Sequence, residues 1–160
     1  WCVKQQHIDL VAEGFWEELL DSYQPNFTVM DWYENSKLAD SVYELHVRLL
    51  GADRATVLGE FHHVAHEARQ DRQENKNWHH VSHVFQRYGA GLRYVHFLHK
   101  AKEVETPAGF LRTRVTDSSV SAQLRTDGKS PSLDRPFAMG NAEDSGREIF
   151  QLTREFALET

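Results

Sequence analysis

The sequence predicts an all-β protein, an antiparallel β-sandwich or barrel with one short early helix. Three observations carry this expectation. Apolar and polar residues alternate through 41–50, 78–88 and 92–99, the period of a half-buried strand. Turn-forming residues separate these stretches at a spacing of about ten residues, as in all-β domains. No alternation of strands with long helices and no glycine-rich nucleotide motif occurs along the chain, which sets aside the doubly wound folds.

The helix is expected within residues 7–23, after an extended lead-in. Phe15, Trp16, Leu19 and Leu20 repeat with helical spacing, Gly14 precedes them and Pro25 blocks extension. Trp16 and Leu19 are expected on the face packed against the sheets. From Phe27 the period changes to two, with Phe27, Val29 and Asp31 on one face and Thr28, Met30 and Trp32 on the other. The clearest strand is 41–50, where Tyr43, Leu45, Val47 and Leu49 point inward and Glu44, His46 and Arg48 point to water. Gly51-Ala52-Asp53-Arg54 makes a turn, and 56–61 returns as the next strand.

Residues 66–77 contain one small apolar residue and read as a solvated loop. Strand-like alternation resumes at 78–88, with His80, Ser82 and Val84 opposite Val81, His83 and Phe85, and again at 92–99 after Gly89-Ala90-Gly91. Residues 109–124 close the domain, with Val115, Val120 and Leu124 in the core. Beyond Leu124 the chain turns rich in Gly, Ser, Pro, Asp and Arg, so 125–160 is expected to be a disordered tail. Ile149, Leu152 and Phe156 within 147–158 have the spacing of a short terminal helix. The boundaries are thus 1–124 for the folded domain and 125–160 for the tail.

At 160 residues with 40% hydrophobic and 26% charged residues, the chain has one domain's worth of core material. A formal net charge of −6 and the lack of any Lys/Arg-rich run argue against nucleic acid and anionic membrane as partners. Ten histidines could reduce that charge in mild acid. No apolar run approaches the roughly 20 residues that cross a bilayer, so no membrane insertion is expected. A single cysteine, Cys2, excludes an internal disulfide and favours a reducing, cytoplasmic location. The sequon Asn26-Phe27-Thr28 then stays unmodified. The chain opens on Trp1 rather than Met, which leads us to expect a fragment.

Four constellations could carry chemistry. His62-His63-x-x-His66 and His79-His80-x-x-His83 resemble ligand clusters, yet a metal needs ligands that converge, and His80 and His83 leave a strand on opposite faces. Surface and inter-strand histidines are therefore expected, with neither metal nor cofactor. Cys2 and Ser118-Ser119 lack the surroundings of an activated nucleophile. Glu17-Glu18 point about 100° apart on a helix and need no role beyond solvation. Asp31-Trp32-Tyr33 ends a strand with two aromatics, read as one core Trp and one rim Tyr, with a contact platform as the functional alternative. No catalytic residue is expected.

Several segments resemble the F-box-associated domain family. They are Asp9-Leu10-x-x-Glu13-Gly14-Phe15-Trp16-Glu17-Glu18-Leu19-Leu20-Asp21, then Asp31-Trp32-Tyr33, Tyr43-Glu44-Leu45-x-Val47-x-Leu49-Leu50, Val81-Ser82-His83-x-Phe85-x-x-Tyr88-Gly89-x-Gly91-x-Arg93 and Arg114-Val115-Thr116-Asp117-Ser118-Ser119-Val120. They keep order and spacing across 1–124. The resemblance implies a galactose-binding-like jelly roll of two antiparallel sheets. It implies a non-enzymatic, cytoplasmic adaptor that presents a protein substrate, glycoproteins included, to a ubiquitin ligase. The SKP1/cullin machinery would be a partner only where an F-box precedes this stretch, and the family's opening strands lie outside it. Glycan-binding relatives place Tyr, Trp and Lys just before the last strand, followed by Gly and an aromatic. Here Thr106, Pro107 and Ala108 occupy those positions, ahead of Gly109 and Phe110. The resemblance therefore implies a degenerate glycan loop, because the stacking face and the cation are missing.

Overall fold

The computed structural model describes residues 1–34, 41–67, 78–103, 113–124 and 149–150. Strands β1 (Cys2–Asp9), β2 (Asn26–Glu34), β3 (Ser41–Leu50), β4 (Val57–Glu67), β5 (His79–Phe85), β6 (Tyr94–Glu103), β7 (Arg114–Gln123) and β8 (Ile149–Phe150) form two antiparallel sheets. The order is β1-β6-β3-β4 in the first and β5-β2-β7-β8 in the second. A single turn of helix, α1 (Leu19–Tyr23), has π geometry and ends at Gln24, which takes a left-handed conformation just before Pro25. The all-β sandwich with one short early helix is the fold the periodicity predicts.

Alternation inside β3 sets the core. Tyr43, Leu45, Val47 and Leu49 are fully buried, because the side-chain period of two sends all four to one face. They meet Phe27, Val29 and Tyr33 of β2, and the Tyr33 and Tyr43 rings stack with centroids 4.1 Å apart. Val81 and Phe85 of β5, Val95 and Phe97 of β6, and Val115 and Val120 of β7 complete this layer. Each large aliphatic or aromatic side chain so buried contributes ~1.5–3 kcal/mol. The expected turn at 51–54 is present. Asp53 accepts from the Ala55 and Thr56 amides and from the Thr56 hydroxyl, at 2.9, 2.8 and 2.6 Å.

Strand β7 contains a bulge. Met30 pairs with Ser119 but Trp32 pairs with Thr116, so β7 carries one residue more than β2 between these points. Asp117 absorbs it at φ 51°, a left-handed conformation that Asp tolerates better than most residues. The bulge shifts the parity of the strand. Val115 faces inward before it, and Ser118, Val120 and Ala122 face inward after it.

Several expectations need correction. The extended lead-in before the helix is a full eight-residue strand, β1, antiparallel to β6. Its alternation of Val3, Gln5 and His7 with Lys4, Gln6 and Ile8 is too polar to stand out. Trp16 is not a core residue. It is 42% exposed, while Phe15, Leu19 and Leu20 are buried. One turn of π helix buries a narrower stripe than the longer α-helix the spacing suggests. Strand β4 runs on to Glu67, into the stretch read as loop, because β3 is long enough to pair with it there. Residues 68–77 lie outside the described residues. So do 125–148 and 151–160, including most of the expected tail and terminal helix. The described pair Ile149–Phe150 is extended and antiparallel to Ala122–Gln123, rather than helical.

Candidate functional site

The direction of the strands divides the connections between two ends of the sandwich. One end carries 10–25, 51–56 and 86–93. At the other lie the last residues of β2, β4 and β6 and the first residues of β3, β5 and β7.

The first end is held by backbone-directed polar contacts. Arg93 donates to both carboxylate oxygens of Asp21, at 2.8 and 2.9 Å. The Gly91 amide donates to Asp21 at 2.8 Å, with Gly91 at φ 100°, a conformation that glycine adopts without strain. These contacts, the Arg93 guanidinium first, hold the Asp21 carboxyl down to about 2. Tyr88 donates to the Pro25 carbonyl at 2.9 Å, and the Gly89 amide donates to the Gln24 side chain at 3.2 Å. The Tyr88-Gly89-x-Gly91-x-Arg93 and Leu19-Leu20-Asp21 segments therefore build a scaffold corner. Glu17 is exposed and lies 3.6 Å from Arg93.

The core holds a second polar cluster that sequence reasoning does not assemble. Asp31 on β2 is fully buried. Its Oδ2 accepts from the Tyr43 hydroxyl of β3 and lies 3.1 Å from His99 Nδ1 of β6. Its Oδ1 accepts from the Ser118 hydroxyl of β7 at 2.6 Å and from the Trp32 amide at 3.1 Å. Aspartate, histidine and serine thus meet, but in the wrong order for nucleophilic catalysis. The serine donates to the carboxylate rather than to the imidazole, and all are sealed from solvent. The cluster ties the first sheet to the second. Burial, with the Asp31 charge added, pushes the Tyr43 phenol far above its ordinary range, so it stays a neutral donor. A sequence signal did exist. Val115 and Val120 are both apolar at opposite parity, which only a one-residue insertion between them can reconcile.

The other end is the candidate site. Arg114, exposed at the start of β7, donates from Nε and Nη2 to the buried carboxylate of Glu34 at the end of β2, the Nε bond being 2.7 Å. The Arg114 guanidinium lies 5.4 Å from the ring centroid of Trp78. Trp1 sits at the same end of the first sheet, with the Lys100 ammonium 4.4 Å from its ring centroid. Both contacts are within cation–π range. Thr106, Pro107 and Ala108 belong to the β6–β7 connection, flanked by Glu103 and Arg114 at this end, and themselves lie outside the described residues.

The aromatic pair of Asp31-Trp32-Tyr33 is reversed relative to expectation. Tyr33 is in the core at 6% exposure, and Trp32 lies on the outer face of the second sheet at 37%, its ring 4.6 Å from that of His80. Asp31 fixes this parity, since a buried, fully bonded carboxylate at 31 puts 33 inside and 32 outside. The sequence-adjacent histidine clusters do not converge. His63 turns inward to lie 3.4 Å from the Tyr33 hydroxyl, and burial lowers its basicity. His62 and His66 face out. His83 stacks on Phe61 with centroids 4.4 Å apart. Instead, the register brings His62 beside His46 and Glu44 on the outer face of the first sheet. Cys2 is exposed and free.

A two-sheet antiparallel sandwich with a hydrogen-bonded corner at one end is a scaffold of the loop-presenting kind. Comparison with known proteins gives the family. The chain belongs to the F-box associated region family, whose profile matches residues 1–122. It is 61% identical over 125 residues to "F-box only protein 50" of Homo sapiens, covering 78% of this chain and 45% of that protein. It is 43% identical over 120 residues to the Danio rerio protein of the same name, covering 75% and 49%. To "F-box only protein 2" of Bos taurus it is 44% identical over 122 residues, covering 75% and 40%. The chain spans less than half the length of these relatives. No helix among the described residues is long and apolar enough to cross a membrane.

Proposed function

We propose that this chain is the substrate-recognition module of an F-box-type adaptor for an SCF ubiquitin ligase, and that it binds a protein rather than transforming one. Membership of the F-box associated region family over 1–122 carries this reading. The arrangement of Asp31, His99 and Ser118 supports a non-catalytic role, because it consumes the carboxylate, imidazole and hydroxyl in holding the sheets together. The SKP1/cullin machinery is a partner only where an F-box precedes this stretch. A cytoplasmic location belongs to the same reading, supported by the single cysteine and the family resemblance.

The recognised surface lies at the end bearing the β6–β7 connection, and its glycan-binding capacity is degenerate. Thr106 offers one hydroxyl, Pro107 removes a backbone donor and Ala108 offers no polar group. Losing the aromatic face alone costs a sugar ~1–3 kcal/mol, tenfold or more in affinity. The test is titration of the chain with chitobiose alongside a high-mannose glycopeptide. No saturable binding is expected. Saturation at micromolar to low-millimolar ligand would instead make the protein an N-glycan receptor in ubiquitin-dependent glycoprotein quality control.

A further inference from the structure

The outer face of the first sheet carries a cluster assembled entirely by register. His46 of β3 lies directly opposite His62 of β4, and Glu44 lies two residues before His46 on the same face. The two imidazole rings stack with centroids 3.8 Å apart. Glu44 Oε2 is 3.0 Å from His46 Nε2 and 3.7 Å from His62 Nε2. The three ligand atoms all lie within 4.8 Å of one another. Lys100 of β6, directly opposite Glu44, places its ammonium 2.9 Å from the same oxygen.

We propose that Glu44, His46 and His62 form a binding site for one divalent transition-metal ion, zinc or copper, with Lys100 holding the carboxylate when the ion is absent. The spacing suits such an ion. Bonds of about 2.1 Å at tetrahedral angles separate ligand atoms by about 3.4 Å, and the two carboxylate–imidazole distances bracket that value. The donor set suits it too, because two imidazoles with one carboxylate favour zinc or copper over calcium or magnesium. The ligands are on neighbouring strands of a paired sheet, so the backbone sets their spacing, and rotation of the imidazoles out of their stack turns both nitrogens toward one ion. His46 and Glu44 are half-buried while His62 is exposed, which leaves the remaining coordination positions open to solvent or to a side chain of a bound protein.

Lys100 gives the proposal a signature that a generic histidine-rich surface lacks. Its ammonium competes with the cation for Glu44, so removing it should tighten binding. The test is calorimetric titration of the chelator-treated chain with zinc chloride, and copper(II) electron paramagnetic resonance of the same samples. One ion per chain and a copper spectrum with two nitrogen ligands are expected. His46→Ala and His62→Ala should each weaken binding by about tenfold or more, which is about 1.4 kcal/mol. Lys100→Met should strengthen it several-fold, and His66→Ala, on the same strand but outside the cluster, should leave it unchanged. Thermal midpoints without metal confirm that each variant is folded. Absence of saturable binding, equal loss in His66→Ala, or unchanged affinity in His46→Ala or Lys100→Met would overturn the proposal. If the alanine variants fail to fold, His46→Gln and His62→Gln serve in their place with the same expected losses.

Discussion

The Tyr43 hydroxyl donates to the Asp31 carboxylate across the interior of the sandwich, joining the central strand β3 of one sheet to the central strand β2 of the other. His99 and Ser118 converge on the same carboxylate. A buried charge is tolerated only when its lone pairs are satisfied, and here the partners come from both sheets.

Replacing Asp31 by Ala should therefore destabilise the fold by ~3–5 kcal/mol, the range for breaking a buried charged network by removing its centre. Tyr43→Phe removes one donor and keeps the ring stacked on Tyr33, so its cost should be smaller, ~1–3 kcal/mol. Urea denaturation of the two variants checks the order. A larger loss in Tyr43→Phe would show that Asp31 is not the hub.

The exposed position of Trp16 makes an opposite claim about a large aromatic. Trp16→Ala should change stability by less than about 1 kcal/mol, as surface substitutions do. Leu20→Ala, at 0% exposure in the same helical turn, should cost ~2–5 kcal/mol. Thermal midpoints of the pair decide it, and a marked drop for Trp16→Ala would mean that it packs against the sheets.

Asp21 gives a pH dependence whose sign follows from its contacts. Arg93 and the Gly91 amide lower its pKa from an ordinary 3.8 to about 2 in the folded chain. A carboxylate with a depressed folded-state pKa contributes stability that is fully present above the unfolded value and lost as pH falls through the folded one. The contribution should disappear between pH 3.8 and about 2. Asp53, also held near 2 by Thr56 and Ala55, titrates in the same window. The informative measurement is the difference in stability between the unaltered chain and Asp21→Asn across that range. The difference should shrink toward acid, and a constant difference would remove Asp21 from the account.

The proposed degeneracy of the β6–β7 connection predicts a gain of function. Thr106→Tyr, Pro107→Trp and Ala108→Lys together should raise chitobiose affinity detectably above that of the unaltered chain. Stacking alone supplies ~1–3 kcal/mol of the added binding. Nuclear magnetic resonance titration reads weak binding directly. An unaltered chain that binds as well as the triple variant would show that these three positions do not decide glycan recognition.

Much of the fold is legible because alternation is a local property. Along β3, burial of Tyr43, Leu45, Val47 and Leu49 follows from spacing alone, as does the division of β5 into two faces. The candidate site is less legible. The proposed glycan-loop positions Thr106, Pro107 and Ala108 can be read only against a family pattern. The histidine clusters seen as neighbours along the chain are not the histidines that meet in space.

By itself, the sequence determined the fold class, the position of most strands, the inward face of β3 and the family, because period-two patterning and ordered motifs are properties of the chain. Only the tertiary structure decided what lies opposite what. It paired His46 with His62 across two strands, gathered Asp31, Tyr43, His99 and Ser118 from four, and used a bulge at Asp117 to turn Ser118 inward. It also put Tyr33 inside and Trp32 outside, against composition alone. The physical reason is that a strand's pattern states which side chains share a face. Register, bulges and the choice of neighbouring strand are settled by packing the two sheets together, where one residue of slip reverses every side chain.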